Sequence, residues 1–167
     1  GYWWRSLGRN KKSVTTNLRT EQGREVLRRL LLDADVVIEN FKPGTMEKWG
    51  LGPEHIKPQN PQLIYTRISG YGQSGPYSSK PGYASVTEAF SGFRYLNGYP
   101  EDVPVRPNLS LGDSVAGVHA ALGILLALLA RKNSQQGQVI DVALYEAMFN
   151  LMEGVVPEYD GAGAVRE

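Results

Sequence analysis

The chain has 167 residues, with 18 Lys and Arg against 17 Asp and Glu for a formal net charge of +1, 41% hydrophobic residues and no Cys. That allows one domain with a substantial core, and it excludes a disulfide scaffold, a Cys-based zinc site and a thiol nucleophile. Collagen-like and disordered classes fail on the same composition despite 19 Gly and 10 Pro.

No charged segment followed by an apolar h-region opens the chain. The longest apolar stretch, Ala120 to Ala130, reads as too short to span a bilayer. The expectation is therefore a cytoplasmic protein without a membrane partner. The even charge conceals an asymmetry. Arg5, Arg9, Lys11, Lys12, Arg19, Arg24, Arg28 and Arg29 against Glu21 and Glu25 give the first 29 residues +6 and the remainder −5. Beside Tyr2, Trp3 and Trp4, such a segment has three readings: a solvated face, a site for a small phosphate-bearing ligand, or a nucleic-acid surface. No nucleic-acid motif supports the last.

In chain order, Ser13 to Asn17 is a short β-branched run that predicts a strand. Thr20 is placed to cap a helix whose stripe, Val26, Leu27, Leu30 and Leu31, runs out near Asp33. Asp35 to Glu39 has the compact apolar form of a buried parallel strand. A turn over Asn40 to Gly44 and a short helix carrying Met46 and Trp49 follow, stopped by Gly50. Pro53 to Asn60 predicts another helical turn, and Leu63 to Ile68 the next strand. That strand leads into the glycine-rich loop Ser69 to Pro76. Ala84 to Phe93 predicts a helix, and Tyr95 to Asn108 an irregular segment with three prolines. Ser114 to about Lys132 is apolar on most faces and predicts a largely buried helix. Gln138 to Ala143 is a last strand, Leu144 to Leu151 a last helix, and residues from Gly154 onward resemble a linker. Alternating strands and helices predict an α/β domain with a mainly parallel, Rossmann-like sheet flanked by helices, spanning 1–153. Ligands of such sheets sit at the carboxyl ends of the strands, where the loops at Asn40, Gly70 and Asp113 would gather.

The usual nucleophile sets are thin. His55 and His119 are the only histidines, no G-x-S-x-G occurs, and neither H-E-x-x-H nor a calcium-loop spacing is present, so no metal is expected. Asp113, in Leu111-Gly-Asp-Ser114, stands directly before the buried helix. It has two readings: an N-cap accepting free helix N–H groups, kept ionised by the helix dipole, or a carboxylate nucleophile presented between glycine-rich loops.

With these residues in place, the whole chain resembles the type III CoA-transferases, the CaiB/BaiF family of formyl-CoA and carnitine CoA-transferases. Asn10-Lys-Lys-Ser13, Thr20-x-x-Gly23, Ala34 to Gly44 (A-D-V-V-I-E-N-F-K-P-G), Gly50-Leu-Gly52 and Asn60-Pro-x-Leu-Ile-Tyr65 follow the family's order. So do Ile68-Ser-Gly-Tyr-Gly-Gln-x-Gly-Pro76, Ala89-x-Ser-Gly92, Gly112-Asp113, Gly123 to Arg131 and Gly137-Gln-x-x-Asp141. The resemblance implies transfer of coenzyme A from an acyl-CoA donor to a carboxylic acid acceptor, with Asp113 as nucleophile and an aspartyl-CoA thioester intermediate. By the same resemblance, the coenzyme A contacts are Thr16, Asn17, Leu18 and Arg19; Asn40, Phe41 and Lys42; Lys48, where the family tends to have Arg; and Pro81, Gly82, Tyr83 and Ala84.

Tyr83-Ala84 departs from the family's frequent Tyr-Asp, and the acyl-CoA racemases of the superfamily pair an acid with a His in that stretch. No His lies between His55 and His119, which speaks against a racemase. Family enzymes are more than twice this long and form interlocked homodimers. The match covers only the central part of their large domain. An inactive free-standing fragment that keeps the fold and weak nucleotide binding is the alternative.

Overall fold

The structure, a computed structural model, describes residues 1–166. Three strands, β1 (Val36–Glu39), β2 (Ile64–Ser69) and β3 (Val139–Ala143), form one parallel sheet in the order β1-β2-β3. The register sets Val36 beside Ile64 and Tyr65 beside Val139. Side chains alternate across β2, so two apolar clusters form. Leu63 and Tyr65 face a core of Leu31, Met46, Leu51 and Ile56. Ile68 faces the other side, with Ile140, Val142, Ala116, Ala120, Leu144 and Ala147.

The first cluster is built by α2 (Glu21–Asp33), α3 (Thr45–Lys48) and α4 (Pro53–Ile56). Helix α2 starts where the sequence predicts: Thr20 is extended and its hydroxyl accepts from the Gly23 N–H at 3.1 Å. Gly23 is required because the preceding loop lies on the helix. A Cβ there would come within 2.0 Å of the Asn17 carbonyl oxygen. The second cluster is built by α6 (Leu111–Ser134) and α7 (Leu144–Phe149), with α5 (Ala84–Phe90) packed on both.

Four expectations need correction. Ser13 to Asn17 is irregular, because among the described residues no strand pairs with it and Val14 stays exposed. β-Branched content makes a strand only where a partner and a buried face exist. Helix α5 ends three residues early, at Phe90, where the Ser91 hydroxyl donates to the Glu88 carbonyl and closes the last turn. Helix α6 is not largely buried. Ala116, Ala120 and Gly123 face the sheet and α7, while Val118, Leu122, Leu125 and Leu129 lie about half a turn round and stay exposed. Its 24 residues are also long and apolar enough to cross a membrane by length and composition, beyond the Ala120 to Ala130 stretch. Finally, the tail folds as α8 (Val155–Ala162), since Pro157 falls in the first turn, where its missing N–H removes no helical bond. Helix α1 (Tyr2–Leu7) carries the exposed Tyr2, Trp3 and Trp4.

Candidate active site

The carboxyl ends of all three strands open on one cleft of about 360 Å³. Asn40, Phe41, Lys42 and Pro43 follow β1; Ile68, Ser69 and Gly70 end β2; Leu144 follows β3. The remaining wall is Ser78, Lys80 and Gly82 to Ser85, then Arg106, Ser110 and Asp113. This is the crevice expected of an open parallel sheet. Its floor depends on glycine: the Gly70 and Gly82 backbones approach so closely that a Cβ on either would lie 2.5 Å from the other's Cα. Tyr71, Tyr77, Phe90 and Tyr145 stack in edge and tilted contacts of 5.2–5.9 Å behind the loop. Lys80 Nζ sits 4.2 Å over the Tyr77 ring.

The β1 side of the cleft is locked by a buried ion network. Arg67 Nε donates to Glu39 Oε1 at 2.7 Å, while its Nη1 and Nη2 donate to the Glu47 carboxylate at 2.5 and 3.1 Å. The second Glu39 oxygen accepts the Phe41 N–H at 2.8 Å and so fixes the turn that presents Asn40 to Lys42. Burial pushes the Glu47 carboxyl up, but the hydrogen bonds from Arg67 and from backbone N–H groups outweigh it and hold the group below its ordinary value. Phe41 meets the edge of Trp49 at 5.2 Å and still lines the cleft.

Asp113 stands on the opposite side. It is the third residue of α6, after the N-cap Ser110, and makes no hydrogen bond or ion pair among the described residues. The N-cap reading therefore fails: the Gly112 N–H is taken instead by Glu88 Oε1 at 3.1 Å. The electrostatic expectation is reversed as well. Although the residue as a whole is exposed, partial burial of its carboxyl and then the nearby Glu88 charge push Asp113 above its ordinary value.

Of the residues singled out from the sequence, Asn40, Phe41, Lys42, Gly82, Tyr83, Ala84 and Asp113 share the cleft. Pro81 adjoins its wall, and Lys48 sits exposed on α3. Thr16, Asn17, Leu18 and Arg19 lie ahead of α2, where the Thr16 hydroxyl donates to the Gly23 carbonyl and Asn17 Oδ1 accepts the Arg19 N–H. None of these six lines the cleft. Lys80, Arg106, Ser78 and Ser110 were not identified from sequence. Lys80 borders the Pro81 to Ala84 stretch, but Arg106 sits in an irregular Pro-rich segment that carries no periodicity. His119 Nδ1 is 2.9 Å from the Val115 carbonyl of its own helix and His55 is exposed on α4, so neither joins the site. The cleft can hold an anionic ligand against Lys42, Lys80 and Arg106 and present it with one carboxylate whose lone pairs are uncommitted.

Comparison with known proteins agrees with this architecture. Residues 1–167 match the family model described as CoA-transferase family III. The chain is 50% identical over 165 residues, 99% of its length, to the succinyl-CoA–D-citramalate CoA-transferase of Chloroflexus aurantiacus. It is 46% identical to the alpha subunit of the succinyl-CoA–L-malate CoA-transferase from the same organism. A CAIB/BAIF family protein from Brucella suis superposes with a TM-score of 0.88 at 39% identity, covering 93% of this chain and 41% of that one. The chain spans 41% and 39% of the length of the two Chloroflexus relatives. With its fold, its strand-end cleft and its full-length match, the chain belongs to CoA-transferase family III.

Proposed function

We propose that this chain carries the nucleophile and part of the coenzyme A site of an enzyme that moves coenzyme A from an acyl-CoA to a carboxylic acid. The observation that carries the proposal is Asp113: an unpaired carboxylate on the wall of a cationic cleft at the strand ends. The residues present suit the co-substrate. Lys42, Lys80 and Arg106 are cations for its phosphates, and Phe41 and Tyr83 are aromatic surfaces for its apolar and ring portions. Thr16 to Arg19, in the basic opening segment, and Lys48, on α3, lie outside this cleft and complete the proposed contacts.

In this reading an Asp113 oxygen attacks the thioester carbonyl carbon, the C–S bond breaks, and a mixed anhydride forms with release of the thiolate. The thiolate adds to the Asp113 carbonyl carbon of that anhydride. The donor acid departs as a carboxylate and an aspartyl-CoA thioester remains. The acceptor carboxylate then attacks the thioester to give a second anhydride, and the thiolate returns to the acceptor's acyl carbon, freeing Asp113. Every step exchanges one carboxylate or thiolate for another, so no proton, oxidant or reductant enters. The proposal includes a homodimeric assembly, which the resemblance implies; relatives named as alpha and beta subunits support assembly from more than one chain without favouring identical ones.

Intact-mass measurement of the protein carrying this chain, incubated with succinyl-CoA, tests the reading. A coenzyme A adduct on the wild type that disappears in Asp113→Ala is the expected result. A folded wild-type protein that acquires no adduct, or an Asp113→Ala protein that still does, overturns it.

A further inference from the structure

Glu88, on α5, is fully buried beneath the nucleophile's helix. Hydrogen bonds and opposite charge stand in for the water that a buried carboxylate loses. Here one oxygen has a hydrogen bond and the other only a nearby cation. Oε1 accepts the Gly112 N–H in the first turn of α6, but Oε2 has no hydrogen-bond donor and lies 3.5 Å from Arg94 Nη2. Nε and Nη2 of Arg94 likewise lack an acceptor. Glu88 is therefore placed by one bond to the residue directly before Asp113 and faces a cation that only loosely compensates it.

We propose that Glu88 is a positioning residue for Asp113: its carboxylate pins the turn that carries the nucleophile and supplies the local negative charge in which that nucleophile works. This rests on the reading of Asp113 as nucleophile. The groups around the pair are few. Arg94 faces Glu88 from the segment after α5, and Asp113 faces it from α6. On α7, which packs against α5, the Tyr145 hydroxyl is engaged with Glu146. Lys42, Lys80 and Arg106 share the cleft with Asp113. Partial burial first, and then the neighbouring negative charge, raise the proton affinity of Asp113. A more basic carboxylate is a stronger nucleophile provided it remains ionised at the working pH.

Two variants separate charge from position. Glu88→Gln keeps an oxygen acceptor for Gly112 and removes the charge. Glu88→Asp keeps the charge but withdraws it from Gly112. The titration of Asp113, followed by carboxyl-carbon NMR and assigned through Asp113→Asn, should move down in Glu88→Gln and hold its place in Glu88→Asp. In Glu88→Asp, kcat should fall roughly tenfold while KM for the acyl-CoA is unchanged, as for an interaction made in the transition state. A wild-type adduct together with an Asp113 midpoint unmoved in Glu88→Gln and an unchanged kcat in Glu88→Asp overturns the role of Glu88 and leaves the nucleophile standing. Should Glu88→Gln fail to fold, the kcat of Glu88→Asp decides alone. Moved midpoints without any wild-type adduct overturn the nucleophile and uphold the coupling between the two carboxylates.

Discussion

The two walls of the cleft treat their acids differently. Beside β1, Glu39 commits both oxygens, one to Arg67 and one to the Phe41 N–H, and Arg67 Nη1 and Nη2 each donate to Glu47. Beside α6, Glu88 commits one oxygen and Asp113 none. A buried network whose carboxylates are all bonded is rigid, because rearrangement strands a charge in a medium that solvates it poorly. That suits the wall that presents Asn40 to Lys42 in a fixed shape. A carboxylate with uncommitted lone pairs is the opposite device: it contributes little to holding the fold and is available to react.

Breaking the satisfied wall should produce the largest effect. Arg67→Ala leaves Glu39 buried without its cation and frees Glu47, and removing one member of a buried ion pair costs about 3–5 kcal/mol. The urea midpoint should drop accordingly. A loss below about 1 kcal/mol would show that water reaches Glu39 and that this wall is no better compensated than the other.

How much of this contrast can be read from residue order alone differs between the walls. The three strands are legible because each is a short run rich in Val and Ile between loops, and the cleft's location follows from parallel order. The Glu-Asn-Phe-Lys-Pro-Gly run points to the β1 wall, though its partner Arg67 lies 28 positions away inside a strand, where nothing local pairs it with Glu39. Other resemblance-bearing residues turn out to be clamps. Asn60 Nδ2 donates to the Leu31 and Ala34 carbonyls, and Asp141 Oδ2 accepts the Gln73 N–H at 2.7 Å, tying the glycine-rich loop to β3. Glu88 was illegible, since a single acid in an apolar helix gives no sign of which direction it faces. The same ambiguity explains the misjudged burial of α6. A helix apolar all round does not disclose which stripe meets the sheet, and here the small residues do.

Acid should separate the walls by sign. Glu47 titrates below its ordinary 4.5 in the folded chain, so its contribution is fully present above that value and is lost as pH falls through the lower folded one. Asp113 titrates above its ordinary 3.8, so its ionised form disfavours the fold and protonation relieves that cost as pH falls. Denaturant midpoints measured from pH 6 down to pH 3 should therefore decline in the wild type. The decline should be shallower in Arg67→Ala, whose Glu47 no longer has a partner to lose. Equal slopes in the two proteins would place the acid-sensitive group elsewhere than in this network.

The smallest change in stability should come from the residue with the largest expected role in chemistry. Asp113→Asn removes a charge that accepts no hydrogen bond, so nothing in the fold is left unsatisfied by it. The same substitution lifts the cost of keeping that carboxylate ionised where it is partly buried and near Glu88. Stability at neutral pH should consequently stay within about 0.5 kcal/mol of the wild type, with any displacement towards higher stability. A loss of about 1 kcal/mol or more, read from the same unfolding curves, would be the signature of a missing helix cap. It would mean that the Asp113 carboxylate serves the first turn of α6, as Glu39 serves the turn after β1, and that the two walls are alike.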